Sequence, residues 1–298
     1  MSKCYTCPRR CGAERDAGKL GLCHSPSDLT VSKIMLHKWE EPCIAGEKGA
    51  GTIFFSGCNL GCIYCQNRAI SCGGCGKIIS DGDLEKEILS LIDQGASCIE
   101  LVTPTHFTDR IASLLTRIKK DIPVPVVWNS GGYESSESLY RLDGLIDIYM
   151  PDFKYFSPEL SKKYSNADNY APVAIAALHE MIRQVGAPKF NEYGMLQSGL
   201  IVRHLILPSH RKDSIAMLEL LDHEIGHESL ILSLMGQYTP DFYIEYEKEN
   251  GENDEYRNLR RKITSFEYDS VLARATELGF DGYFQSLDSA SKKFTPDF

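Results

Sequence analysis

Three cysteines share one short stretch, Gly57-Cys58-Asn59-Leu60-Gly61-Cys62-Ile63-Tyr64-Cys65-Gln66-Asn67, at C-x3-C-x2-C spacing. The apolar run before it, residues 51–56, has the composition of a short buried strand. The cysteines are therefore predicted to lie on a loop at the end of a strand. Glycines at 57 and 61 allow a tight loop, because only glycine takes positive φ without steric cost. Such a loop can aim three thiolates at one point, and thiolates are the ligands of iron–sulfur clusters.

The spacing and the flanking glycines make this a specific signal, although thiols that bind nothing in a reduced compartment would give the same letters. Iron–sulfur clusters are commonly held by four cysteine thiolates. Three ligands on one loop leave one iron of a four-iron cluster without a protein ligand. That iron is then free to bind something else.

This loop resembles the signature of radical S-adenosylmethionine (radical SAM) enzymes, in which an aromatic residue, here Tyr64, precedes the last cysteine. The longer run over residues 54–67 is similar to one branch, the uncharacterised relatives of pyruvate formate-lyase activating enzyme. The resemblance implies that Cys58, Cys62 and Cys65 hold a [4Fe–4S] cluster whose fourth iron chelates S-adenosylmethionine (SAM). It also implies one-electron cleavage of SAM to methionine and a 5′-deoxyadenosyl radical, which abstracts a hydrogen atom from the substrate.

Composition limits the class of protein. The 298 residues, 43% of them hydrophobic, suffice for one substantial core. A net charge of -9 argues against bulk attraction to nucleic acid. No run reaches the roughly 18 apolar residues of a membrane helix, and the first ten residues lack the apolar core of a signal peptide. We therefore predict a cytoplasmic monomer without a membrane partner.

Eleven cysteines in such a compartment more often indicate metal or redox chemistry than disulfides. Cys4, Cys7, Cys11 and Cys23 open the chain at C-x2-C-x3-C-x11-C spacing. Four thiolates suit a structural zinc ion or a second iron–sulfur cluster. A short segment without its own core gains folding energy from such a metal. We favour zinc, and four unligated thiols are the alternative.

The remaining cysteines give weaker signals. Cys72 and Cys75 form another C-x2-C soon after the cluster loop. They are either half of a metal site, with Cys43 as a further ligand, or two loop thiols. Cys98 begins an apolar run, so we interpret it as a buried small hydrophobic residue.

Alternating elements predict the fold. Strands are expected near 98–102, 124–128, 146–150, 200–207 and 230–235, besides the one before the cluster loop and a short one near 282–285. Helical patterns lie between them, which favours a parallel sheet with helices outside. We predict an α/β fold, a partial (β/α)6 barrel, which the resemblance also implies.

The domain organisation follows from this pattern. We assign residues 1–45 to a Cys-rich metal-binding extension and residues 46–298 to the barrel with its C-terminal helix and tail. Within these domains, residues 31–50 look like a link, and residues 247–255 look poorly structured.

Sites in such folds lie at the carboxyl ends of strands. The first later strand ends in Thr103-Pro104-Thr105-His106. In the related activating enzymes a Gly-Gly-Glu-Pro motif stands here and contacts the SAM amino group. This chain lacks the acid, so the hydroxyls of Thr103 and Thr105, or backbone carbonyls, are the acceptors that remain.

Two further strand ends carry polar residues. The resemblance implies that Asn129 and Ser130 lie near SAM. Alternation places Asp152 and Lys154 on one side, where they neutralise each other and bind a zwitterion such as SAM. The alternative is a surface ion pair, which contributes little stability. The resemblance also implies a monovalent cation at Asn129, Ser130, Met150 and Asp152.

Three more residues are assigned by resemblance. Only one of the adjacent residues Arg203 and His204 enters the barrel, and the resemblance selects Arg203, whose guanidinium would hold the SAM carboxylate as a fork. Gln237 takes the place of a ribose- or carboxylate-contacting histidine, and Tyr64 packs beside the adenine. We assign no catalytic residue.

The function predicted from the resemblance is radical SAM chemistry on a glycyl-radical-type protein, by analogy with the activating enzymes. One alternative keeps that chemistry for a small molecule, peptide or nucleotide. A second is a non-enzymatic iron–sulfur electron-transfer protein, which requires no SAM pocket. The enzyme would take its electron from a donor such as flavodoxin or ferredoxin.

Overall fold

The computed structural model describes residues 3–285. The tail beyond the short strand near 282–285 therefore lies outside the described residues. Ten strands form one sheet in the described part: β1 (Thr30–His37), β2 (Ala50–Phe55), β3 (Lys77–Ile78), β4 (Ile99–Val102), β5 (Val126–Ser130), β6 (Ile148–Pro151), β7 (Lys189–Phe190), β8 (Leu196–Leu205), β9 (Ile231–Met235) and β10 (Gly282–Phe284).

The sheet is mostly parallel and does not close. Its order is β10-β9-β8-β6-β5-β4-β2-β1-β3, with β7 paired to β8. All neighbours from β2 to β10 on this path are parallel, whereas β1 and β3 add an antiparallel edge. The six strands β2, β4, β5, β6, β8 and β9 are those predicted for the partial barrel, so that prediction is confirmed.

Ten α-helices lie in the described part of the chain: α1 (Pro42–Ala45), α2 (Arg68–Ser71), α3 (Asp81–Asp93), α4 (Thr108–Ile118), α5 (Ser136–Leu139), α6 (Pro158–Ser165), α7 (Tyr170–Val185), α8 (Arg211–Glu224), α9 (Asp241–Asn250) and α10 (Ser265–Glu277). Short 3-10 helices cover Arg15–Ala17, Thr105–Phe107, Lys119–Asp121, Tyr140–Leu142, His227–Ser229 and Asp254–Arg260.

Local sequence sets where the helices begin. Ser80 accepts a hydrogen bond from the Asp83 backbone N–H at 3.1 Å and caps α3. Thr264 and Glu267 form a reciprocal capping box at the start of α10.

Two of the longer elements, β1 and α9, were not predicted. β1 replaces the expected link, because its backbone pairs with β2 over residues 31–37. α9 forms within an acidic segment whose composition does not predict a packed helix. There Glu247 is buried, accepts from the Tyr243 hydroxyl at 2.9 Å, and pairs with Arg260 at 2.7 Å. Partners supplied by other residues satisfy a charge that would otherwise argue against a packed helix.

A short plug fills the bottom of the barrel. Cys43 and Ile44 of α1 pack there against inward side chains of the strands, which are Ala50, Cys98, Val127, Ile148, Met150, Leu196, Ile201 and Ile231. Cys98 is buried, as predicted. Cys72 and Cys75 are exposed between α2 and β3, so the structure does not bring them together with Cys43.

None of the helices within residues 3–285 is both long and apolar enough to cross a bilayer.

Candidate active site

A cavity of about 210 Å³ lies at the carboxyl ends of the parallel strands. Its lining includes the three cysteines of the cluster loop, which follows β2 directly. Most residues predicted to bind SAM line the same cavity, namely Tyr64, Thr103, Asn129, Ser130, Asp152, Lys154, Arg203 and Gln237. Thr105 does not, because its hydroxyl is directed away and donates to Glu134 Oε1 at 2.6 Å.

Glycine geometry shapes the cluster loop. Gly57 and Gly61 take φ values of 86° and 66°, as the sequence predicts. A Cβ at position 57 would lie 2.0 Å from the Ser25 hydroxyl oxygen and 2.3 Å from the Cys23 carbonyl oxygen. Only glycine therefore fits where the loop meets the N-terminal segment.

The N-terminal segment braces the loop from outside. Arg9 donates to the carbonyl oxygens of Asn59 at 2.7 Å and Leu60 at 3.3 Å, and to that of Ser165 at 2.7 Å. The backbone N–H of Cys58 donates to the Cys23 carbonyl at 3.2 Å. The Cys-rich segment thus positions the loop by binding the backbone groups of the loop.

The cluster thiols fit a bound iron–sulfur cluster. Burial raises the pKa of Cys58, and it raises that of Cys65 to about 12, with the neighbouring Cys62 adding to both shifts. Thiols in such surroundings become thiolates only beside strong positive charge, which cluster iron supplies. The Ser165 hydroxyl already donates to the Cys62 sulfur at 2.9 Å.

Within residues 3–285, no three histidine, cysteine or acidic side chains converge around one metal ion. A four-iron cluster does not require this, because each cysteine would bind a different iron. In the N-terminal segment, burial, together with the nearby Cys23 and Cys4, raises the pKa of Cys7 to about 12. Cys7 thus lies near Cys4 and Cys23, but no three of the N-terminal thiols converge on one point within residues 3–285, so zinc there stays a prediction.

Asp152, Lys154 and Arg203 form a buried network rather than the surface ion pair considered as an alternative. Lys154 pairs with Asp152, and Arg203 Nε lies 3.0 Å from Asp152 Oδ1. Arg203 Nη2 also donates to Asn129 Oδ1 at 2.6 Å. Burial alone would raise the pKa of Asp152, but the two cations outweigh it and hold that pKa below its ordinary value.

This network affects two of the predicted roles. Each guanidinium nitrogen of Arg203 has a partner, since Nη1 lies 3.6 Å from Glu40 Oε2. A SAM carboxylate would therefore displace one of them. A monovalent cation at Asp152 would likewise compete with Lys154 and Arg203, so it also stays a prediction.

Strand alternation selects between two adjacent basic residues. Arg203 lines the cavity, whereas His204 is buried on the other side of β8. Its ring nitrogens lie 2.6 Å from the Phe153 carbonyl and 2.9 Å from the Ser214 hydroxyl.

Sequence reasoning missed an acidic group beside Arg203. Glu40 and Glu41 line the cavity. Ser233 donates to Glu41 at 2.6 Å. Glu100 accepts from Asn129 at 2.6 Å and from the Thr52 hydroxyl at 2.7 Å.

Only one of these acids left a signal in the sequence. Glu100 is a single acid within the apolar strand Ile99–Val102 and is fully buried. The pair at positions 40 and 41 precedes a proline in an irregular stretch, where acids are usually solvated.

Comparison with known proteins identifies the family. Residues 52–197 match the model of the radical SAM superfamily. This part of the chain is a radical SAM domain. An uncharacterized protein of Methanocaldococcus jannaschii is 27% identical over 290 residues, covering 94% of this chain and 76% of that protein. The coarser prediction, an enzyme of the radical SAM class, is confirmed, and the family implies a [4Fe–4S] cluster, SAM and a reductant.

Solved structures give more distant likenesses. Methylornithine synthase is 12% identical with a TM-score of 0.44, over 60% of this chain and 50% of that one. This chain thus spans half the length of that enzyme. A 2,3-dimethylmalate lyase is 11% identical, with a TM-score of 0.33 over 68% of this chain and 73% of that one. The HMG-CoA lyase of Brucella melitensis is 13% identical, with a TM-score of 0.35 over 74% of this chain and 91% of that one.

Proposed function

We propose that this radical SAM protein reductively cleaves SAM and uses the resulting radical to take a hydrogen atom from a substrate in the barrel. The observation that carries the proposal is the shared cavity, which is lined by Cys58, Cys62 and Cys65 together with the polar strand ends. When bound, the cluster and SAM supply the one-electron cleavage that gives methionine and the 5′-deoxyadenosyl radical.

The residues around the cavity are suited to orient a zwitterion. Asp152 presents negative charge, whereas Lys154 and Arg203 present positive charge. Because these side chains hold one another, they are pre-organised before a ligand arrives. An amino group and a carboxylate of SAM can each replace an existing partner without leaving a buried charge alone.

Aromatic side chains close one wall of the cavity. Tyr64 and Tyr238 are buried and meet edge to face, with ring centroids 6.3 Å apart. The Tyr64 hydroxyl lies 2.7 Å from that of Tyr155, so its polar end is satisfied away from the ligand. We assign to this wall the packing of the adenine and the exclusion of water from the radical.

We further propose a kinship with pyruvate formate-lyase activating enzyme, supported by the run over residues 54–67. A glycyl-radical-type protein is then one substrate, and modification of a smaller molecule is the other. The electron-transfer alternative is disfavoured, because an electron carrier has no use for a cavity with converging charged groups.

SAM cleavage tests the proposal. The anaerobically reconstituted protein is reduced, given SAM, and assayed for 5′-deoxyadenosine beside two variants. We expect formation by the wild type and by Cys75→Ala, whose thiol is exposed and outside the cavity lining, but not by Cys62→Ala. A fully loaded wild type that fails to bind SAM would overturn the enzyme assignment and favour the electron carrier.

We also propose that Cys4, Cys7, Cys11 and Cys23 hold a structural zinc ion, since their segment has no core of its own. Elemental analysis of protein purified before cluster reconstitution should find zinc in the wild type and much less in Cys7→Ser. Iron in place of zinc would assign a second iron–sulfur cluster instead.

A further inference from the structure

The inside of the barrel is layered. Side chains two positions apart on a strand share a face, and the parallel strands run toward the cluster loop. Four strands therefore place a polar residue deep in the barrel and an apolar residue nearer the loop. These pairs are Thr52 and Phe54, Glu100 and Val102, Arg203 and Leu205, and Ser233 and Met235.

The apolar members form a collar. Phe54, Val102, Leu205 and Met235 all line the cavity. A ligand that reaches from the cluster loop to the deeper layer on this side of the barrel must pass between them. Such a passage favours methylene groups over polar ones.

The deeper layer, which we call the acid floor, consists of Glu40, Glu41 and Glu100. Arg203 contacts this floor through an ion pair with Glu40, and it also pairs with Asp152. The ring of His37 lies 3.9 Å from Glu40, but burial lowers the pKa of that imidazole and favours its neutral form. Counting Asp152 and Lys154 with the floor, four carboxyl groups face two permanent cations.

A second observation concerns unpartnered acceptors in the same cavity. The hydroxyl oxygen of Thr239 is buried, lines the cavity and has no hydrogen-bond partner, and Thr239 as a whole is 6% exposed. The amide oxygen of Asn67 is likewise buried and unpartnered there. A ligand that brings N–H donors would satisfy both of these atoms.

We propose that the substrate carries an alkyl chain ending in an ammonium or guanidinium group, which binds Glu40 and Glu41. This inference rests on the proposed function and deepens it by naming the substrate class. The methylenes match the collar and the positive charge offsets the acid excess, while N–H donors elsewhere on the substrate match the open acceptors in the rest of the cavity. Free amines and lysine or arginine side chains of a peptide share this chemistry.

The structure assigns the two glutamates different surroundings. Glu41 is held by Ser233, whereas Glu40 pairs with Arg203 and lies against Glu100. Burial and the charge of Glu100 raise the pKa of Glu40 well above its ordinary value, and burial raises that of Glu41. A bound cation would provide the charge that these carboxylates lack.

Binding of small probes tests the proposal on the cluster-loaded protein with SAM present. Calorimetry compares butylguanidinium and butylammonium with neutral pentanamide. We expect the cations to bind at least roughly tenfold more tightly, because a desolvated charge pair is worth more than that factor. Glu40→Gln combined with Glu41→Gln should abolish this preference, whereas Glu47→Gln, an exposed acid after α1, should keep it.

The substrate class and the proposed SAM cleavage can fail separately in this experiment. Equal affinity for cationic and neutral probes in the wild type overturns the inference without any variant. A preference that survives in the well-folded double variant, or displacement of butylammonium by Mg²⁺, also overturns it. 5′-Deoxyadenosine measured in the same samples tests the proposed function separately, because SAM cleavage without cation preference leaves that function standing.

A last arm distinguishes the source of the cation. Agmatine is compared with the peptide Gly-Arg-Gly in the same calorimetric assay. Tighter binding of agmatine indicates a free amine or guanidine as substrate, and tighter binding of the peptide indicates a side chain. Failure of both to compete with butylguanidinium overturns the inference.

Discussion

The cluster loop and the acid floor lie at opposite ends of one cavity and are built in different ways. The loop is contiguous in sequence, and it is held from outside at its own backbone, by the Arg9 side chain and the Cys23 carbonyl. The floor comes from the loop after β1 and from strand β4, and side-chain pairs hold it from inside. Bonds to the backbone of the loop do not depend on the loop's own side chains, whereas the floor depends on the charges of the side chains that form it.

This difference has a physical consequence for each region. We expect the loop to keep its shape whether or not its sulfurs bind iron, because bonds to its backbone hold it. The floor is sensitive to every charge placed in it, since its groups are buried and lack compensation by water. The predictions below test this contrast, beginning with the largest expected effect.

Removal of the cation next to the floor should be the most costly change. Arg203→Met leaves Glu40 without its cationic partner and Asp152 with Lys154 alone, and we expect a loss of about 3–5 kcal/mol in the free energy of unfolding. Urea denaturation of the cluster-free protein measures it. The matched control is Arg274→Met, which breaks exposed pairs with Glu219 and Glu277 and should cost about 0–1 kcal/mol. Equal losses in the two variants would contradict a charge-dependent floor.

Removal of the brace should weaken the other end of the cavity. Arg9→Ala deletes charged hydrogen bonds to four carbonyl groups, the fourth being that of Asn166, and we expect a loss of about 2 kcal/mol and faster extraction of cluster iron by a chelator. Arg10→Ala is the neighbouring control, because that side chain is 61% exposed. If iron leaves both variants at the wild-type rate, the segment does not hold the loop.

The same contrast explains what the sequence could predict. The cluster loop, its two glycines and the parallel strands are each specified within a few neighbouring residues, so local patterns indicate them. Strand alternation also predicts that Asp152 and Lys154 share a side, whereas the choice of Arg203 over His204 needed the family resemblance. Those signals depend on periodicity and turn chemistry, which a single sequence displays.

The floor and the brace could not be predicted in this way. Glu40 meets Arg203 only because β1 folds back along β2, an antiparallel pairing with no local signature. Arg9 reaches Ser165 across 156 residues of sequence. Contacts of this kind depend on the tertiary fold, and α9 was missed for the same reason.

The pH dependence of stability should have opposite sign for two acids of the cavity. The pKa of Glu40 is raised above the ordinary value of 4.5 by burial and by Glu100, so the folded state binds its proton and loses stability as pH rises. The free energy of unfolding of Glu40→Gln, compared with that of the wild type, should therefore be higher at about pH 8 than at about pH 5.

Asp152 provides the opposing case. Despite burial, Lys154 and Arg203 hold its pKa below 3.8, so its contribution is present above that value and is lost as pH falls through the lowered pKa. Asp152→Asn should be destabilising to a similar degree at both pH values, and the deficit should narrow in stronger acid. Denaturant titrations at each pH measure both variants, and parallel curves for the two would contradict the assignment.

The smallest expected effect lies at the loop and is electronic. Ser165 donates to the Cys62 sulfur at 2.9 Å, and a hydrogen bond to a cluster ligand favours the reduced state with its added negative charge. Ser165→Ala should lower the midpoint potential by roughly 40 mV, the equivalent of about 1 kcal/mol for one electron. Ser161→Ala is the control, since its hydroxyl donates to the Pro158 carbonyl within the same helix. Electron paramagnetic resonance monitors the midpoint potential of each variant. Equal potentials in the two variants would show that the Ser165 hydroxyl does not tune the cluster.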